Sequence, residues 1–234
     1  MLFDETSAAS AAPVSDDRAS EDTPLTRGAP TDDVGLTPTL ADEDFLSKLN
    51  AGKCASFPIN IWTMSPDGTR KHSEWFPDPK AAMAYALSVC ADVNVYFGMG
   101  IPETAGDAYH RVTSNTVVML RTLWAELDIK SIHHTKTDLP ATLDEALAFV
   151  ESLPLPPTVI VCSGNGLHLY WFFVEPWEFD TAEERMRAAK LQAEWTDTIR
   201  TLGRRRGWEF DAVKDLARVL RVPGTLNHKS NPPQ

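Results

Sequence analysis

Apolar residues follow the spacing of β-strands in five separate segments. These segments are short, rich in β-branched and aromatic residues, and bounded by turn-forming residues; they span 57–64, 94–99, 123–129, 158–162 and 167–174. In a strand, alternate side chains face opposite sides of the sheet, so each segment can bury one face or both. The last two are separated only by the turn 163–166, which contains two glycines and predicts a hairpin.

Capping residues predict the helices. A short amphipathic helix is expected at 42–49, and longer ones at 79–90, 142–153 and 181–203. Proline at the first position starts the second helix, and Thr-x-x-Glu capping boxes start the last two. The final helix carries its apolar residues on one face, and Gly203 is its predicted C-terminal stop; the face comprises Ala188, Leu191, Trp195, Ile199 and Leu202. Interleaved helices and hairpins favour an α+β fold over a doubly wound parallel sheet.

The first forty residues differ from the rest in composition. They are rich in Ala, Ser, Asp, Thr and Pro, and hold eight acidic and two basic residues, a balance of −6. Such a segment buries too little apolar surface to offset the entropy of ordering. We therefore predict a disordered acidic tail over 1–40 and one globular domain over 41–234. The chain's net charge of −11 leaves −11 − (−6) = −5 on that domain.

Cysteine use and hydropathy indicate the compartment. Cys54, Cys90 and Cys162 are odd in number and far apart, which argues against a disulfide framework and a zinc knuckle. No apolar run approaches the roughly 20 residues that span a bilayer, and the start lacks the pattern of a secretory signal. We expect a cytoplasmic protein without a membrane partner.

Glu126 and Asp128 form the first cluster of candidate functional residues. They lie two positions apart on a predicted strand and therefore share one face, while Ala125, Leu127 and Ile129 share the apolar face. Two neighbouring carboxylates in an apolar context repel each other, and a bound Mg²⁺ or Mn²⁺ offsets that cost. The alternative is an edge strand with a solvated face.

His168 is the centre of the second cluster. It follows the turn that contains Gly164 and Gly166, where the backbone can approach a ligand closely. An imidazole that contacts phosphate is one interpretation; a core histidine with satisfied nitrogens is the other. The turn is not a Walker loop, because G-x-x-x-x-G-K-[ST] occurs nowhere in the chain.

The third cluster combines Asp211 with basic residues. Residues 200–221 hold seven basic and three acidic residues, among them Arg218 and Arg221. A carboxylate beside arginines suits a site for metal and triphosphate, because guanidinium groups bind phosphate oxygens in pairs. The alternatives are a helix-start Asp with ordinary surface ion pairs, and Asp215 in the metal position. The His133-His134 pair is interpreted as a loop feature.

In this order, the three clusters resemble the archaeo-eukaryotic primase superfamily, which includes the primase-polymerases of plasmids, phages and other mobile elements. Its first motif is a metal-binding acid-x-acid, matched by Glu126 and Asp128; its second centres on a histidine, matched by His168; its third supplies a metal carboxylate, matched by Asp211. The segment 215–229 resembles the R-x-x-R-x-P-G-x-x-N stretch that follows in mobile-element members, and Asn94–Gly100 resembles a strand upstream of the first motif. The resemblance covers about residues 55–230.

The resemblance implies a primase-polymerase catalytic core, with an RRM-like antiparallel sheet, helices and an N-terminal α/β unit. It implies two Mg²⁺ or Mn²⁺ ions on Glu126, Asp128 and Asp211, with His168 in the catalytic site. The implied triphosphate-binding residues are Lys130, Ser163, His168, Arg218, Arg221 and Asn227. The implied DNA-binding residues are Arg204, Arg205, Arg206 and Lys229. This chain has Glu126 where Asp is commoner and Gly166 where many members have Ser, so we expect a changed metal preference or rate.

The implied function is template-dependent nucleotidyl transfer, as a DNA primase or DNA polymerase in the replication of a mobile element. Its partners would be single-stranded or primed DNA, nucleoside triphosphates and a helicase segment or separate helicase. The alternatives are a non-catalytic replication module that binds DNA or nucleotide, and a metal-dependent nuclease. Sugar preference, de novo initiation and biological setting stay open at this point.

Overall fold

A computed structural model describes residues 44–131, 136–229 and 233. The predicted tail over 1–40 and the His133-His134 pair lie outside these residues. In chain order the elements are α1 (Phe45–Leu49), a 3-10 turn (Gly52–Ser56), β1 (Ile59–Met64), β2 (Lys71–Phe76), α2 (Pro79–Val89), β3 (Asn94–Gly98), β4 (Ile101–Pro102), β5 (Val117–Asp128), α3 (Leu143–Glu151), β6 (Val159–Cys162), β7 (Gly166–Glu178), α4 (Ala182–Arg204) and β8 (Val219–Arg221).

The described strands form two four-stranded sheets. The first has the order β2-β1-β3-β8 and the second β4-β5-β7-β6. All the strand pairs are antiparallel. Helices and antiparallel sheets in one unit confirm the predicted α+β class. None of the described helices has the length and apolar character needed to cross a bilayer.

One face of the second sheet packs against the first sheet. Trp124 of β5 and Tyr170 of β7 are fully buried there, together with Phe97 of β3. Phe45 of α1 fills the space between the sheets, with its ring centroid 5.4 Å from that of Phe97 and 5.1 Å from that of Tyr170. We call this side of β5 and β7 the inner face. Their other face packs on α3 and α4 in a second apolar cluster.

The predicted helix starts are confirmed. The Asp78 side chain accepts from the Ala81 backbone N–H at 2.9 Å, and proline follows at the first helical position. Thr142 and Thr181 cap α3 and α4 through the backbone N–H three residues later, each at 3.2 Å. These contacts are local in sequence, so the residues that make them suffice to predict them.

The predicted buried face of α4 is wrong in part. Gln192 and Thr196 are buried, whereas Leu191 is 38% exposed. The Gln192 amide bonds the Trp124 backbone at both N–H and C=O, because beyond β4 that edge of β5 has no strand partner among the described residues. A backbone edge that needs donors and acceptors thus selects polar residues for the buried side of the helix.

Gly203 does not end α4, which continues to Arg204. A Cβ at this position would lie 2.6 Å from the Phe210 ring, so the glycine permits close packing. The left-handed residue that follows the helix is Gly207, with φ of 81°. Strand β2 was not predicted, because its sequence, Lys-His-Ser-Glu-Trp-Phe, has little apolar alternation.

Candidate active site

The inner face of β5 and β7 changes from apolar to polar towards one end of the sheet. Trp124 and Tyr170 lie opposite each other in the core, and the next pair on the same face is Glu126 and His168. One step further, Asp128 lies opposite Gly166. The antiparallel register therefore brings the first two sequence clusters together at the end of the buried cleft between the sheets.

Gly166 permits this arrangement. A Cβ at residue 166 would lie 2.3 Å from the Leu127 carbonyl oxygen and 3.0 Å from the Asp128 Cα. Any other residue would push β7 away from β5 next to both carboxylates. Within the turn Gly164 adopts φ of 90°, a conformation that glycine reaches at little cost.

Strand β8 brings the third cluster to the same place from the first sheet. Arg221 lies opposite Tyr96 of β3 and is only 5% exposed. Its guanidinium donates to the Leu226 carbonyl at 2.6 Å and to Asn94 Oδ1 at 3.0 Å, and lies 5.1 Å from the Tyr96 ring centroid. Its planar group is thus fixed from three sides.

Arg218 joins the two sheets through an ion pair. Its Nε and Nη2 donate to Glu126 Oε1 at 2.8 Å and 2.7 Å. Burial raises the pKa of Glu126 above its usual value, Arg218 opposes that rise, and Asp211 adds to it. A half-buried carboxylate is therefore kept close to a cation that could instead bind a phosphate.

These residues surround a pocket of about 160 Å³. It is lined by Tyr96, Glu126, Asp128, Ser163, Asn165, His168, Arg218, Val219, Leu220, Arg221, Asn227 and Lys229. Three cationic and two acidic side chains thus line it. Except for Lys229, which is exposed, the charged residues are buried or half-buried. An anion bound here would meet concentrated positive charge at low solvent exposure, where electrostatic interactions are stronger than in water.

His168 is held as a neutral imidazole. Burial lowers its pKa, to about 3, and the positive charges of Arg221, Arg218 and Lys229 act in the same direction. At neutral pH the ring therefore contributes a hydrogen-bonding group but no positive charge. The histidine is buried like a core residue and also lines the pocket, and its contact with phosphate stays a prediction.

Two polar atoms of pocket residues are buried without a hydrogen-bond partner in the described structure. They are His168 Nδ1 and Asn165 Nδ2. Buried polar atoms are almost always satisfied, and an orphaned one costs roughly 1–3 kcal/mol. Both atoms belong to residues that line the pocket, so a ligand bound there could supply their missing partners.

Asp211 does not line this pocket. It is exposed and forms an ion pair with Lys136, although its charge still acts on Glu126. Within residues 44–131 and 136–229, no group of three or more His, Cys, Asp or Glu side chains could hold a metal ion. Glu126 and Asp128 offer the oxygen ligands that Mg²⁺ and Mn²⁺ prefer, but the predicted three-carboxylate site is not assembled. The metal ions therefore stay a prediction.

The other predicted residues divide into two groups. Ser163 and Asn227 line the pocket, and the Asn227 amide donates to the Ser163 carbonyl at 2.9 Å, which ties the segment after β8 to the β6–β7 turn. Lys130 is exposed and outside the pocket lining.

The predicted DNA-binding arginines are also outside it. Arg204 pairs with Glu209 at 2.8 Å, and Arg206 lies over the rings of Phe149 and Trp208. Arg205 is exposed at the end of α4. Of the four residues predicted to bind DNA, Lys229 lines the pocket.

Sequence reasoning missed Tyr96, Asn94 and Asn165. The segment that holds the first two was noted as a strand but not as part of the site. No periodicity distinguishes a tyrosine that supports an arginine from one in the core, because the contact joins residues 125 positions apart.

No family model matches the chain, and no curated protein matches it. Three solved structures are similar in fold. The first is the AEP domain of the primase-polymerase of cyanophage S-2L, 18% identical over 79% of this chain and 80% of that one, with a TM-score of 0.48.

The second is primase RepB', 12% identical over 80% of this chain and 51% of that one, with a TM-score of 0.43. The third is the catalytic domain of primase RepB' in complex with initiator DNA, 12% identical over 80% and 78%, with a TM-score of 0.40. Similarity at this level concerns the course of the chain, whereas activity depends on the side chains of the pocket.

Proposed function

We propose that this chain is a template-dependent nucleotidyl transferase that binds a nucleoside triphosphate in the pocket and adds nucleotides to a 3′-hydroxyl. The observation that carries the proposal is the meeting of Arg218, Arg221 and Lys229 around a buried, neutral histidine whose Nδ1 has no partner in the described structure. This combination suits phosphate oxygens, which accept hydrogen bonds from guanidinium, ammonium and imidazole N–H groups.

The size of the pocket suits phosphate groups. About 160 Å³ is the space of roughly five water molecules, so we infer that phosphate groups rather than a whole nucleotide would enter it. Base and sugar would then lie at its mouth, where Tyr96 and Lys229 are placed. Lys229 is exposed and can follow the phosphates in and out, whereas Arg221 is fixed by its own contacts.

The roles of the chain's own residues follow from these contacts. Arg221 presents a preorganised guanidinium, and Arg218 turns from Glu126 to the triphosphate as the phosphates enter. His168 donates a hydrogen bond without adding charge, and Asn227 holds the turn that bears it in place. Catalysis of phosphoryl transfer is mainly positioning and charge stabilisation, which such a clamp provides.

Glu126 and Asp128 would hold a divalent ion, with Asp211, whose charge acts on Glu126, as a further carboxylate. When bound, Mg²⁺ or Mn²⁺ would neutralise phosphate charge and promote attack by the 3′-hydroxyl. Release of Arg218 from Glu126 would make both groups available at once, the acid for the cation and the arginine for the triphosphate.

The test is incorporation of a labelled nucleotide on a primed template with Mg²⁺ or Mn²⁺. We expect extension by the natural sequence, and a loss of at least ~100-fold in Asp128→Asn. Glu175→Gln, which removes an exposed acid from β7, is the matched control and should extend normally. Full activity of Asp128→Asn would refute the proposed chemistry, and shortened primers would favour a nuclease.

A non-catalytic nucleotide-binding module is the second candidate. The observation in its favour is that Asp211 is paired with Lys136 and stays out of the pocket lining. It predicts triphosphate binding by calorimetry without incorporation under any metal condition. The two candidates share the pocket and differ only in turnover.

A further inference from the structure

The outer face of the first sheet carries a row of side chains that leads to the pocket. Trp62 of β1 lies opposite Tyr96 of β3, and Tyr96 lies opposite Arg221 of β8. Directly opposed residues in antiparallel strands point to the same side, about 4.8 Å apart per strand. The alternate residues Ile61 and Phe97 point into the core and are fully buried.

A groove of about 280 Å³ lies along this row. It is lined by Trp62, Met64, Lys71, Tyr96, Arg111 and Val219. Tyr96 and Val219 also line the phosphate pocket, so the groove and the pocket adjoin each other. The two aromatic residues, Trp62 and Tyr96, are half-buried and line the groove.

The groove is positively charged in an acidic protein. Lys71 and Arg111 are both exposed, and no acidic side chain lies within ion-pair distance of either in the described part of the chain. Elsewhere on the surface, exposed basic residues such as Arg187 and Lys190 are paired with neighbouring acids. Unpaired cations beside open aromatic rings match a ligand with both phosphates and flat apolar groups.

The outer edge of this sheet is closed to another strand. The Ser73 backbone N–H of β2 donates to the Ala108 carbonyl at 2.8 Å, and the Trp75 indole donates to the Asp107 carbonyl at 3.1 Å. The segment around residues 106–108 therefore occupies the place where a peptide would add by β-augmentation. The open groove on the face remains for a ligand that stacks.

We propose that this groove binds single-stranded nucleic acid, with one base on Trp62, the next near Tyr96, and phosphates at Lys71 and Arg111. Unpaired bases expose the flat surfaces that stack on aromatic rings, whereas a duplex hides them. The bound nucleic-acid strand would reach the pocket at Tyr96, where the incoming nucleotide must meet its template. The proposal rests on the proposed function only for this last point.

The first experiment measures binding of a fluorescent twelve-residue oligo(dT) by anisotropy. Trp62→Ala should weaken binding ~5- to 100-fold, and Trp62→Phe, which keeps a ring, should restore most of the affinity. Affinity for the triphosphate alone, measured by calorimetry, should stay unchanged in both variants, because Trp62 lies outside the phosphate pocket. Equal oligonucleotide binding by Trp62→Ala and the natural sequence would overturn the proposal, as would equal affinity for a duplex.

The second experiment follows the salt dependence of the same binding. Lys71→Gln with Arg111→Gln should reduce the slope of log K against log salt by about 1.4, or ~0.7 for each lost phosphate contact. Arg187→Gln with Lys190→Gln removes the same charge from α4 and should leave the slope unchanged. If the reduction appears instead in Arg204→Gln with Arg205→Gln, the strand runs along the end of α4 and the proposed groove is wrong.

The outcomes separate this inference from the proposed function. Oligonucleotide binding that depends on Trp62, in a chain without nucleotide incorporation, would uphold the groove and refute the transferase. Nucleotide incorporation that is unchanged by substitution of Trp62, Lys71 and Arg111 would uphold the transferase and refute the groove.

Discussion

Two clusters of basic residues in the last third of the chain have opposite surroundings. At the end of α4, Arg200 and Arg204 share Glu209, at 2.5 Å and 2.8 Å. In the pocket, Arg221 has no acidic partner among the described residues and is held by neutral oxygens, while Arg218 has Glu126 alone. In the α4 cluster, Arg200 and Arg204 are therefore paired with an acid, whereas Arg221 of the pocket cluster is not, within the described part of the chain.

The difference shows which kind of charge indicates function. Burying an arginine without a carboxylate costs free energy, and burial lowers the pKa of Arg221 accordingly. That cost is accepted at Arg221, which lies in the same pocket as two orphaned polar atoms, and is avoided for Arg200 and Arg204 by pairing with Glu209. A basic residue indicates a ligand site more strongly when the fold buries it without an acidic partner.

Arg221→Gln is the strongest way to break this comparison. It leaves the Leu226 carbonyl and Asn94 without their donor, so we expect the free energy of unfolding to fall by ~2–4 kcal/mol. Triphosphate affinity should fall at least ~10-fold, measured by calorimetry at a temperature where circular dichroism shows a folded protein. Arg221→Lys keeps the positive charge but loses the planar guanidinium group, so its triphosphate affinity should lie between those of the natural sequence and Arg221→Gln. Unchanged affinity in Arg221→Gln would mean that phosphate binds elsewhere.

Glu126→Gln removes the partner of Arg218 and should act in two directions. In EDTA, triphosphate affinity should rise at least ~5-fold, because the loss of one nearby negative charge is worth about 1 kcal/mol even at the dielectric constant of water, and more in a half-buried site. Metal-dependent incorporation should fall at the same time by at least ~100-fold. Glu175→Gln again serves as the control. A fall in metal-free affinity would show that Glu126 orients Arg218 rather than competing for it.

The pH dependence of the free energy of unfolding tests whether His168 is buried as a neutral group. Its native pKa, about 3, lies below the ordinary value of 6.5, so between these values the unfolded state binds a proton that the native state does not. The free energy of unfolding should therefore fall as pH decreases from 6.5. Relative to His168→Gln, the natural sequence should lose ~1.5 kcal/mol more between pH 6.5 and 5.0, measured by urea unfolding. The raised pKa of Glu126 makes the free energy of unfolding rise as pH decreases, which is the opposite effect. Both proteins contain Glu126, so this contribution largely cancels when their curves are compared. Parallel curves would mean that His168 binds protons equally in the native and unfolded states, so that burial does not lower its pKa.

The α4 cluster should give the smallest effects. Arg204→Gln with Arg206→Gln removes an exposed ion pair and a cation–π contact, together worth about 1 kcal/mol of stability or less. Triphosphate affinity should stay within ~2-fold of the natural value. A large loss would contradict the distinction between the two clusters and restore the DNA-binding role predicted for these arginines.

The sequence was a good guide to features that depend on neighbouring residues. The caps at Asp78, Thr142 and Thr181, the hairpin of β6 and β7, and the shared face of Glu126 and Asp128 follow from local hydrogen bonds or from the two-residue period of a strand. The α+β class follows from the order of these elements.

It was a poor guide to features that depend on distant contacts. The buried side of α4 was predicted to be apolar, but the open edge of β5 selects Gln192. Asp211 forms an ion pair with Lys136, 75 positions away, and this pair was not predicted. Nothing near either residue in the sequence signals such a partner.

The sequence by itself determined which residue types were available for chemistry and on which face of each strand they lie. The tertiary structure decided which of them meet, because register and sheet order bring β5, β7 and β8 together from segments nearly a hundred residues apart. It also decided their charge, since burial makes His168 neutral and leaves Arg221 without an acid in the described structure. Desolvation is a property of packing, and only the assembled cleft defines it.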